Sequence, residues 1–156
     1  GRVVAVAREE TARERATAYG ADAVVPMDAD PDRLAAALGE ALPSGADVVV
    51  DPVWGPAGTA AGRVLAPGGR LVNIGSAGGA EAVFSSPALR SRSAAVLGYT
   101  NNAITPDQRE AALHAVLRHA EAGRVAVAHE TVALRDVEAA WRRQSEGSAG
   151  RLVLLP

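Results

Sequence analysis

The residues best suited to bind a ligand come directly after apolar runs of the sequence. Arg8 follows a run that begins at Val3, and Asp51-Pro52 follows the run Val48 to Val50. A stretch of small residues, Gly75 to Gly79, follows a third apolar run. Ligands of parallel sheets bind beyond the carboxyl ends of the strands. These strand ends are therefore the candidate site.

The Ala7-Arg8 pair predicts a phosphate contact. In a dinucleotide-binding fold, Asp or Glu at the end of the second strand binds the adenosine ribose, whereas a small residue followed by Arg suits a 2'-phosphate. The Arg guanidinium is planar, permanently charged and matched to phosphate oxygens. Arg13, one helical turn further on, is placed to assist. A solvated strand-end arginine is the alternative interpretation.

The Gly75 to Gly79 stretch predicts a close approach of backbone to ligand. Its residues combine small side chains with free backbone N–H groups that a phosphate, a ribose or a nicotinamide could approach. The stretch is not a GxGxxG motif, and none occurs in the chain. A flexible loop between two strands is the alternative. Tyr99, followed by Thr100-Asn101-Asn102 at another strand end, is also placed for a ligand.

No residue pattern predicts a catalytic group or a metal site in this chain. Cysteine is absent, which excludes thiolate nucleophiles and thiolate zinc ligands. No serine lies in a nucleophile elbow, and no paired acids are placed for acid/base chemistry. We expect no carboxylate at ligand spacing from the histidines, which are His114, His119 and His129.

The elements that position these residues alternate between apolar runs and helical segments, which predicts an α/β fold with a parallel sheet. The clearest helix start is the capping box Thr105-Pro106-Asp107-Gln108. Strands are predicted at 3–7, 23–25, 48–50, 71–74, 82–84, 94–99, 125–134 and 152–155. Helices are predicted at 9–19, 31–42, from 55 to 65, 87–90, 106–122 and 136–144, with a loop at 147–150.

Composition limits the function classes. With 156 residues, 48% of them apolar, the chain can bury the core of one ordinary domain. The net charge of -2 gives no signature of binding to nucleic acid or to anionic membranes. No apolar run approaches the roughly 18 residues that suggest a membrane span. We therefore expect a cytoplasmic location.

Four stretches together resemble the medium-chain dehydrogenase/reductase superfamily, and within it the zinc-free quinone oxidoreductase branch. They are GADVVVDPVWG, LAPGGRLVNIGSAGG, LGYTNN and ALRDVEAAWRRQSEGSAGRLVLLP. The resemblance implies a Rossmann-like parallel sheet with helices on both faces, lacking the first strand and the glycine-rich loop. It implies a partial NAD(P)-binding domain at 1–122 and, at 123–156, a strand-helix-strand segment that would pack with a missing N-terminal catalytic domain.

The resemblance also implies a set of cofactor-binding residues and a dimer. Arg8 would bind the adenosine 2'-phosphate, so the expected cofactor is NADP. The family implies a homodimer through the strand around Ala94 to Leu97. The other residues implied are Pro52 and Val53 on the adenosine side, Ile74, Gly75 and Ser76 at the nicotinamide and its ribose, Tyr99 to Asn101 at the carboxamide, and Arg151 near the phosphates.

The expected function is the cofactor-binding portion of an NADPH-dependent oxidoreductase that moves hydride to a small quinone, enone or carbonyl substrate. The family's first strand and phosphate loop would lie before Gly1. Without them two strands would face a gap, and we expect weak NADP binding or none by the chain alone. A non-catalytic assembly module is the main alternative, and an S-adenosylmethionine methyltransferase, which can also carry a PGGRLV stretch, is a weaker one.

Overall fold

The structure is a computed structural model that describes residues 1–147 and 151–156. It divides into two compact units, Gly1–Asn102 and Ala103–Pro156. The predicted loop at 147–150 lies outside the described residues except for Gly147. None of the helices in the described part is both long enough and apolar enough to cross a membrane.

The first unit alternates strands and helices, as the sequence predicts. Its strands pair in parallel as two sheets, β1-β2 and β3-β4-β5. The α/β fold class is therefore confirmed. The strands are β1 (Val4–Ala7), β2 (Ala23–Pro26), β3 (Ala46–Asp51), β4 (Leu65–Asn73) and β5 (Ala95–Gly98), and the helices are α1 (Glu10–Ala18), α2 (Pro31–Ala41), α3 (Gly55–Arg63) and α4 (Ser86–Arg92).

Helices α2 and α3 supply the core that holds these strands. Leu34 and Leu38, on one face of α2, pack with Val25 of β2 and Ala60 of α3. Leu71 of β4 is fully buried in a second cluster with Ala61 and Leu65. Because α3 is built of small residues, it lies close to its neighbours, and most of its length is buried.

The prediction of a short strand at 82–84 is wrong. This segment has no ladder partner, because its contacts are made with α3 instead. The Val83 N–H donates to Thr59 Oγ1 at 2.9 Å. A Cβ added at Gly62 would lie 2.6 Å from the Phe84 ring, so the missing side chain makes room for that ring. Tertiary packing thus overrides the β propensity of Val83 and Phe84.

The second unit contains one long helix followed by a strand-helix-strand segment. The predicted capping box is confirmed, since Thr105 Oγ1 accepts from the Gln108 N–H and Gln108 Oε1 accepts from the Thr105 N–H. The strands pair in parallel. The elements are α5 (Pro106–Glu121), β6 (His129–Ala133), a 3₁₀ turn (Leu134–Asp136), α6 (Val137–Ser145) and β7 (Arg151–Leu155), and a 3₁₀ turn at Asn101–Ala103 precedes them.

The strand predicted at 125–134 is shorter in the structure. Only residues 129–133 have partners in β7, so the apolar residues Val125 and Val127 lie outside the ladder and are exposed. The predicted boundary between residues 122 and 123 separates two domains of a longer family member. The division after Asn102 separates two compact units of this chain, which is a different property. The boundary at 122 stays a prediction.

Candidate functional site

A slot separates the two sheets of the first unit. Within the described residues, β1 pairs only with β2, and β3 pairs with β4. The slot is a cavity of about 840 Å³ between β1 and β3. Its walls include Val4, Val6, Leu34, Leu38, Val48 and Val50. The expected gap between two strands is therefore present.

The backbone groups of β3 alternate between its two edges. The Ile74 N–H donates to the Asp51 carbonyl at 2.9 Å, so Asp51, and Val49 two residues earlier, face β4. Val48 and Val50 consequently turn their backbone groups toward the slot. They are 53% and 63% exposed, which is unusual for a strand inside an α/β sheet.

The same alternation applies to β1. The Met27 N–H donates to the Ala7 carbonyl at 3.0 Å, which leaves the backbone groups of Val4 and Val6 facing away from β2. Arg2 Nε donates to the Ala41 carbonyl at 3.0 Å, which places the beginnings of β1 and β3 at the same end of the slot. The slot is therefore bounded by two strand edges whose backbone groups have no partner strand among the described residues.

At the carboxyl end of the sheet, the segments after β3 and β4 are tightly interlocked. The carbonyl of Val53 accepts from the Gly78 N–H at 2.6 Å, and that of Pro52 accepts from the Ala77 N–H at 3.5 Å. The Asn73 side chain donates to the Gly75 carbonyl at 2.6 Å. The predicted residues Pro52, Val53, Ile74, Gly75 and Ser76 are thus brought together.

Glycine is required at this contact because backbone meets backbone. A Cβ at Gly75 would lie 2.7 Å from the Pro52 carbonyl oxygen, and one at Gly78 would lie 2.8 Å from Val53 Cγ1. A Cβ at Gly55 would lie 2.5 Å from the Gly78 carbonyl oxygen. Neighbouring atoms must shift at distances below 3.0 Å, and at Gly75 and Gly55 those atoms are backbone carbonyl oxygens. These glycines therefore serve the contact between two loops.

The 75–79 stretch offers free N–H groups at only two of its positions among the described residues. The Ala77 and Gly78 N–H groups donate to the neighbouring loop, and the Gly79 N–H donates to the Ser76 carbonyl at 3.2 Å. The Gly75 and Ser76 N–H groups have no hydrogen-bond partner in the part of the chain that the structure describes. Two adjacent donors, instead of five, are available to a ligand.

Asp51 is the residue that the sequence interpretation undervalued. Its side chain is buried, with 5% of the residue exposed. Its Oδ1 accepts from the N–H groups of Val53 and Trp54, each at 2.8 Å. The signal in the sequence is a carboxylate directly after an unbroken apolar run, at a strand end where a turn must begin.

Arg8 lies exposed at the end of β1, as predicted. Its guanidinium makes no hydrogen bond or ion pair with any described residue. The Arg8 carbonyl accepts from Arg13 Nη1 at 2.5 Å, so Arg13 also lies at this turn. Nearby, after β2, Arg33 is instead paired with Asp28 at 3.0 Å, and this hydrogen bond lowers the pKa of Asp28. Arg8 is therefore free, as far as the described residues go, to meet an anion at this strand end.

Tyr99 and Asn101 are brought together after β5. The Tyr99 hydroxyl donates to Asn101 Oδ1 at 2.8 Å, and the Tyr99 N–H donates to the Asn73 carbonyl at 3.0 Å. Half of the Tyr99 surface remains exposed. Arg151 begins β7 in the second unit, in register with His129, and is exposed. Its place in a cofactor site stays a prediction.

The histidines do not form a metal site in the described residues, which contain no group of three or more His, Cys, Asp or Glu that could hold a metal ion. One detail of the expectation is wrong. His114 Nε2 lies 3.6 Å from Glu110 Oε1, one helical turn earlier, so a carboxylate does accompany this histidine. Both side chains are exposed on α5, as a solvated helical pair is.

Comparison with known proteins agrees with this architecture. Two mycobacterial structures, a quinone oxidoreductase and a protein in complex with NADPH, are each 21% identical to the chain, with TM-scores of 0.86 and 0.80. Each match covers 99% of this chain and 49% of the other, and shows the shared fold. A thermostable alcohol dehydrogenase from Pyrobaculum aerophilum, with cobalt and zinc bound, is 30% identical with a TM-score of 0.71, over 100% of this chain and 43% of that one.

The sequence itself carries the family assignment. No curated protein has a significantly similar sequence. The family model of the zinc-binding dehydrogenases, however, matches residues 1–137, which include every element from β1 to the 3₁₀ turn before α6. The chain spans less than half the length of the solved structures above. It belongs to the zinc-binding dehydrogenase family, within the medium-chain dehydrogenase/reductase superfamily that its motifs predict.

Proposed function

We propose that this chain is the cofactor-binding portion of an NADPH-dependent oxidoreductase that transfers hydride to a quinone, an enone or a carbonyl compound. The observation that carries the proposal is the family match over residues 1–137. Among the similar structures are a quinone oxidoreductase, an alcohol dehydrogenase and a protein in complex with NADPH. Because the chain covers 43 to 49% of their lengths, the activity of the whole protein is part of the proposal.

NADP is proposed over NAD because of Arg8. A guanidinium that has no partner among the described residues, at the end of β1, suits the 2'-phosphate that distinguishes the two cofactors. An acidic residue would be expected there for the ribose hydroxyl groups of NAD. Glu9 and Glu10 follow Arg8, and Glu10 already belongs to the first turn of α1.

The remaining residues of the proposed site bind and orient the cofactor. The fit is supported by the N–H groups of Gly75 and Ser76, which have no partner among the described residues and suit acceptor oxygens of a ribose or a carboxamide. NADPH supplies the hydride, and the protein supplies orientation. The other members of the proposed set are Pro52 and Val53 on the adenosine side, Ile74 at the nicotinamide, Tyr99 and Asn101 at the carboxamide edge, and Arg151 near the phosphates.

A homodimer and a cytoplasmic location belong to the same proposal. In the described part of the chain, β5 pairs only with β4, so its outer edge has unpaired backbone groups. Val96 and Leu97 are 36% and 48% exposed along this strand. Pairing with the same strand of a second copy would satisfy that edge. Sedimentation equilibrium of the wild type and of a Leu97→Lys variant tests this arrangement.

The first experiment is a fluorescence titration with NADPH and NADH. The titration is done on the intact protein isolated from its source, whose mass is also measured. The 15.9 kDa chain is titrated in parallel. We expect the intact protein to have a higher mass and to prefer NADPH. The chain alone should bind weakly or not at all, because the slot between β1 and β3 leaves the centre of the sheet open. Micromolar affinity of the chain alone would contradict that expectation.

Arg8→Ala tests the choice of cofactor. A charge-assisted hydrogen bond contributes about 1.5 to 3 kcal/mol, so NADPH binding should weaken about 10- to 100-fold while NADH binding stays unchanged. Arg15→Ala, which removes the same charge from an exposed position on α1, is the matched control. Equal losses of affinity in the two variants would mean that Arg8 acts only through net charge.

A non-catalytic assembly module is the second candidate, and the open slot favours it. In an active dehydrogenase the cofactor crosses the carboxyl edge of a continuous sheet. A native mass of 15.9 kDa, with no nucleotide bound, would support the module and would rule out the reductase for this chain. The family match weighs against the methyltransferase, which is not proposed.

A further inference from the structure

We propose that Asp51 is the positioning residue of this site. Its carboxylate fixes the conformation of the turn after β3. This turn then holds the segment after β4 in the conformation that a ligand would contact. The part that concerns the ligand rests on the proposed function. The part that concerns the two loops rests on hydrogen bonds and contacts within the chain.

The Asp51 carboxylate organises its own turn directly. Oδ1 accepts from the N–H groups of Val53 and Trp54 at 2.8 Å each. Trp54 has φ of +61° and ψ of -155°, a backbone conformation that a bulky residue rarely adopts. It is the first residue before α3, and its side chain makes no capping hydrogen bond. The two bonds to Oδ1 stabilise this strained turn.

The turn then determines the neighbouring loop. The carbonyl groups of Asp51, Pro52 and Val53 accept from the N–H groups of residues 74, 77 and 78 in that order. The close approaches at Gly55, Gly75 and Gly78 show that the two segments are also in direct contact. Consequently the two N–H groups that remain unpaired, those of Gly75 and Ser76, are positioned through Asp51, although Asp51 does not touch the ligand in this proposal.

The second carboxylate oxygen shows how closely Asp51 is held. Oδ2 is buried and has no hydrogen-bond partner among the described residues. A Cβ added at Gly58 would lie 2.9 Å from it, so helix α3 packs directly against this oxygen. Gly58→Ala should therefore displace the carboxylate without removing it, whereas Asp51→Asn keeps an acceptor at Oδ1 in nearly the same shape.

Residue-resolved hydrogen exchange tests the loop part without any ligand. In Asp51→Ala we expect the Ala77 and Gly78 amides to exchange about tenfold faster, because their acceptors move. The Tyr99 amide, which donates to Asn73 outside the interlocked segments, should keep its rate. Asp51→Asn should restore slow exchange. Uniform acceleration that includes Tyr99, or no change at Ala77 and Gly78, would overturn the proposal.

Gly58→Ala provides the second variant if Asp51→Ala does not fold. It should accelerate the same two amides, whereas Gly39→Ala in α2, where an added Cβ meets nothing within 4 Å, should not. Unchanged exchange of Ala77 and Gly78 in Gly58→Ala would contradict the role assigned to the buried oxygen.

NADPH titration of the intact protein tests the ligand part. We expect Asp51→Ala to weaken binding about tenfold and Asp51→Asn to stay within about threefold of the wild type. Leu65→Ala, a buried change at the opposite end of β4, controls for lost stability and should keep the wild-type affinity. If the wild type binds no NADPH, the proposed function is wrong. The hydrogen-exchange experiment then tests the role of Asp51 in the two loops by itself. Equal losses in Asp51→Ala and Leu65→Ala would overturn the ligand part.

Discussion

The two edges of β3 lie in different surroundings. On one side, β3 is paired with β4, and the segments that follow the two strands are interlocked through backbone hydrogen bonds. On the other side, Val48 and Val50 border an open slot of about 840 Å³. The same strand is therefore paired along one edge and open along the other.

The difference shows that only part of the candidate site is preorganised for a ligand. The loops at Pro52 to Trp54 and Gly75 to Gly79 hold one another without help from a ligand. The β1 side contributes Arg8, whose guanidinium is exposed and makes no hydrogen bond or ion pair with a described residue. Ligand groups that reach the β3-β4 loops would meet a fixed surface, whereas those between β1 and β3 would meet the open slot.

Leu71→Ala should have the largest effect, because it removes a fully buried side chain on the closed side. Burial lost together with the cavity left behind costs about 3 kcal/mol of unfolding free energy. Val50→Ala, at a 63% exposed position on the open side, should change it by less than about 0.5 kcal/mol. Urea denaturation measures the free energy of unfolding of both variants. Equal losses of this free energy would show that the slot is closed in solution.

Gly75→Ala should have the next largest effect. The added Cβ would lie 2.7 Å from the Pro52 carbonyl oxygen, and this overpacking costs about 1 to 3 kcal/mol. Gly98→Ala is the control, because a Cβ at that position in β5 meets nothing within 4 Å. The measurement is the free energy of unfolding of the two variants. If Gly75→Ala has the wild-type value, the two loops are not in contact.

Hydrogen exchange along β3 should alternate. The amides of Val49 and Asp51 face β4, whereas those of Val48 and Val50 face the slot. We expect the slot-facing pair to exchange at least about tenfold faster. NMR exchange rates at each residue measure this, and four equally slow amides would indicate that another strand occupies the slot in solution.

The smallest effect concerns the Asp28–Arg33 pair beside the open sheet. The hydrogen bond from Arg33 lowers the pKa of Asp28 in the folded state. The pair therefore stabilises the fold above the unfolded pKa of Asp28, and this contribution is lost as the pH falls through the lower folded value. Asp28→Asn should remove this part of the pH dependence of unfolding between neutral and acidic pH.

Asp47→Asn is the control for this pair, since Asp47 is exposed and has no ion pair with a described residue. Its pH profile of unfolding should match that of the wild type. Because the Asp28–Arg33 pair is exposed to solvent, we expect only a small change. Identical profiles of Asp28→Asn and wild type would show that the pair is not formed in solution.

Local features were predictable from the sequence where neighbouring residues alone decide them. The capping box at Thr105 and the cap of α2 by Asp30, whose carboxylate accepts from the Asp32 N–H, depend on three or four adjacent residues. The order of strands and helices was predictable because apolar runs report burial. The strand predicted at 82–84 was wrong, because Val83 and Phe84 meet α3, which is distant in the sequence.

The candidate site was predictable only in outline. Strand ends identified the region of Pro52, Gly75 and Tyr99, because all parallel strands end at the same edge. The strand ends could not show that Gly75 and Gly78 pack against another loop. Nor could they show that only two N–H groups of the 75–79 stretch lack a partner among the described residues. Those facts depend on which segments come together.

The sequence by itself determined the α/β pattern and the family, because periodicity, caps and motifs are local properties of the chain. Only the tertiary structure decided that Asp51 is buried with one unpaired oxygen, that the glycines join two loops, and that β3 has an open edge. The physical reason is that a hydrogen bond or a close contact is formed by two segments, and its partner is set by folding.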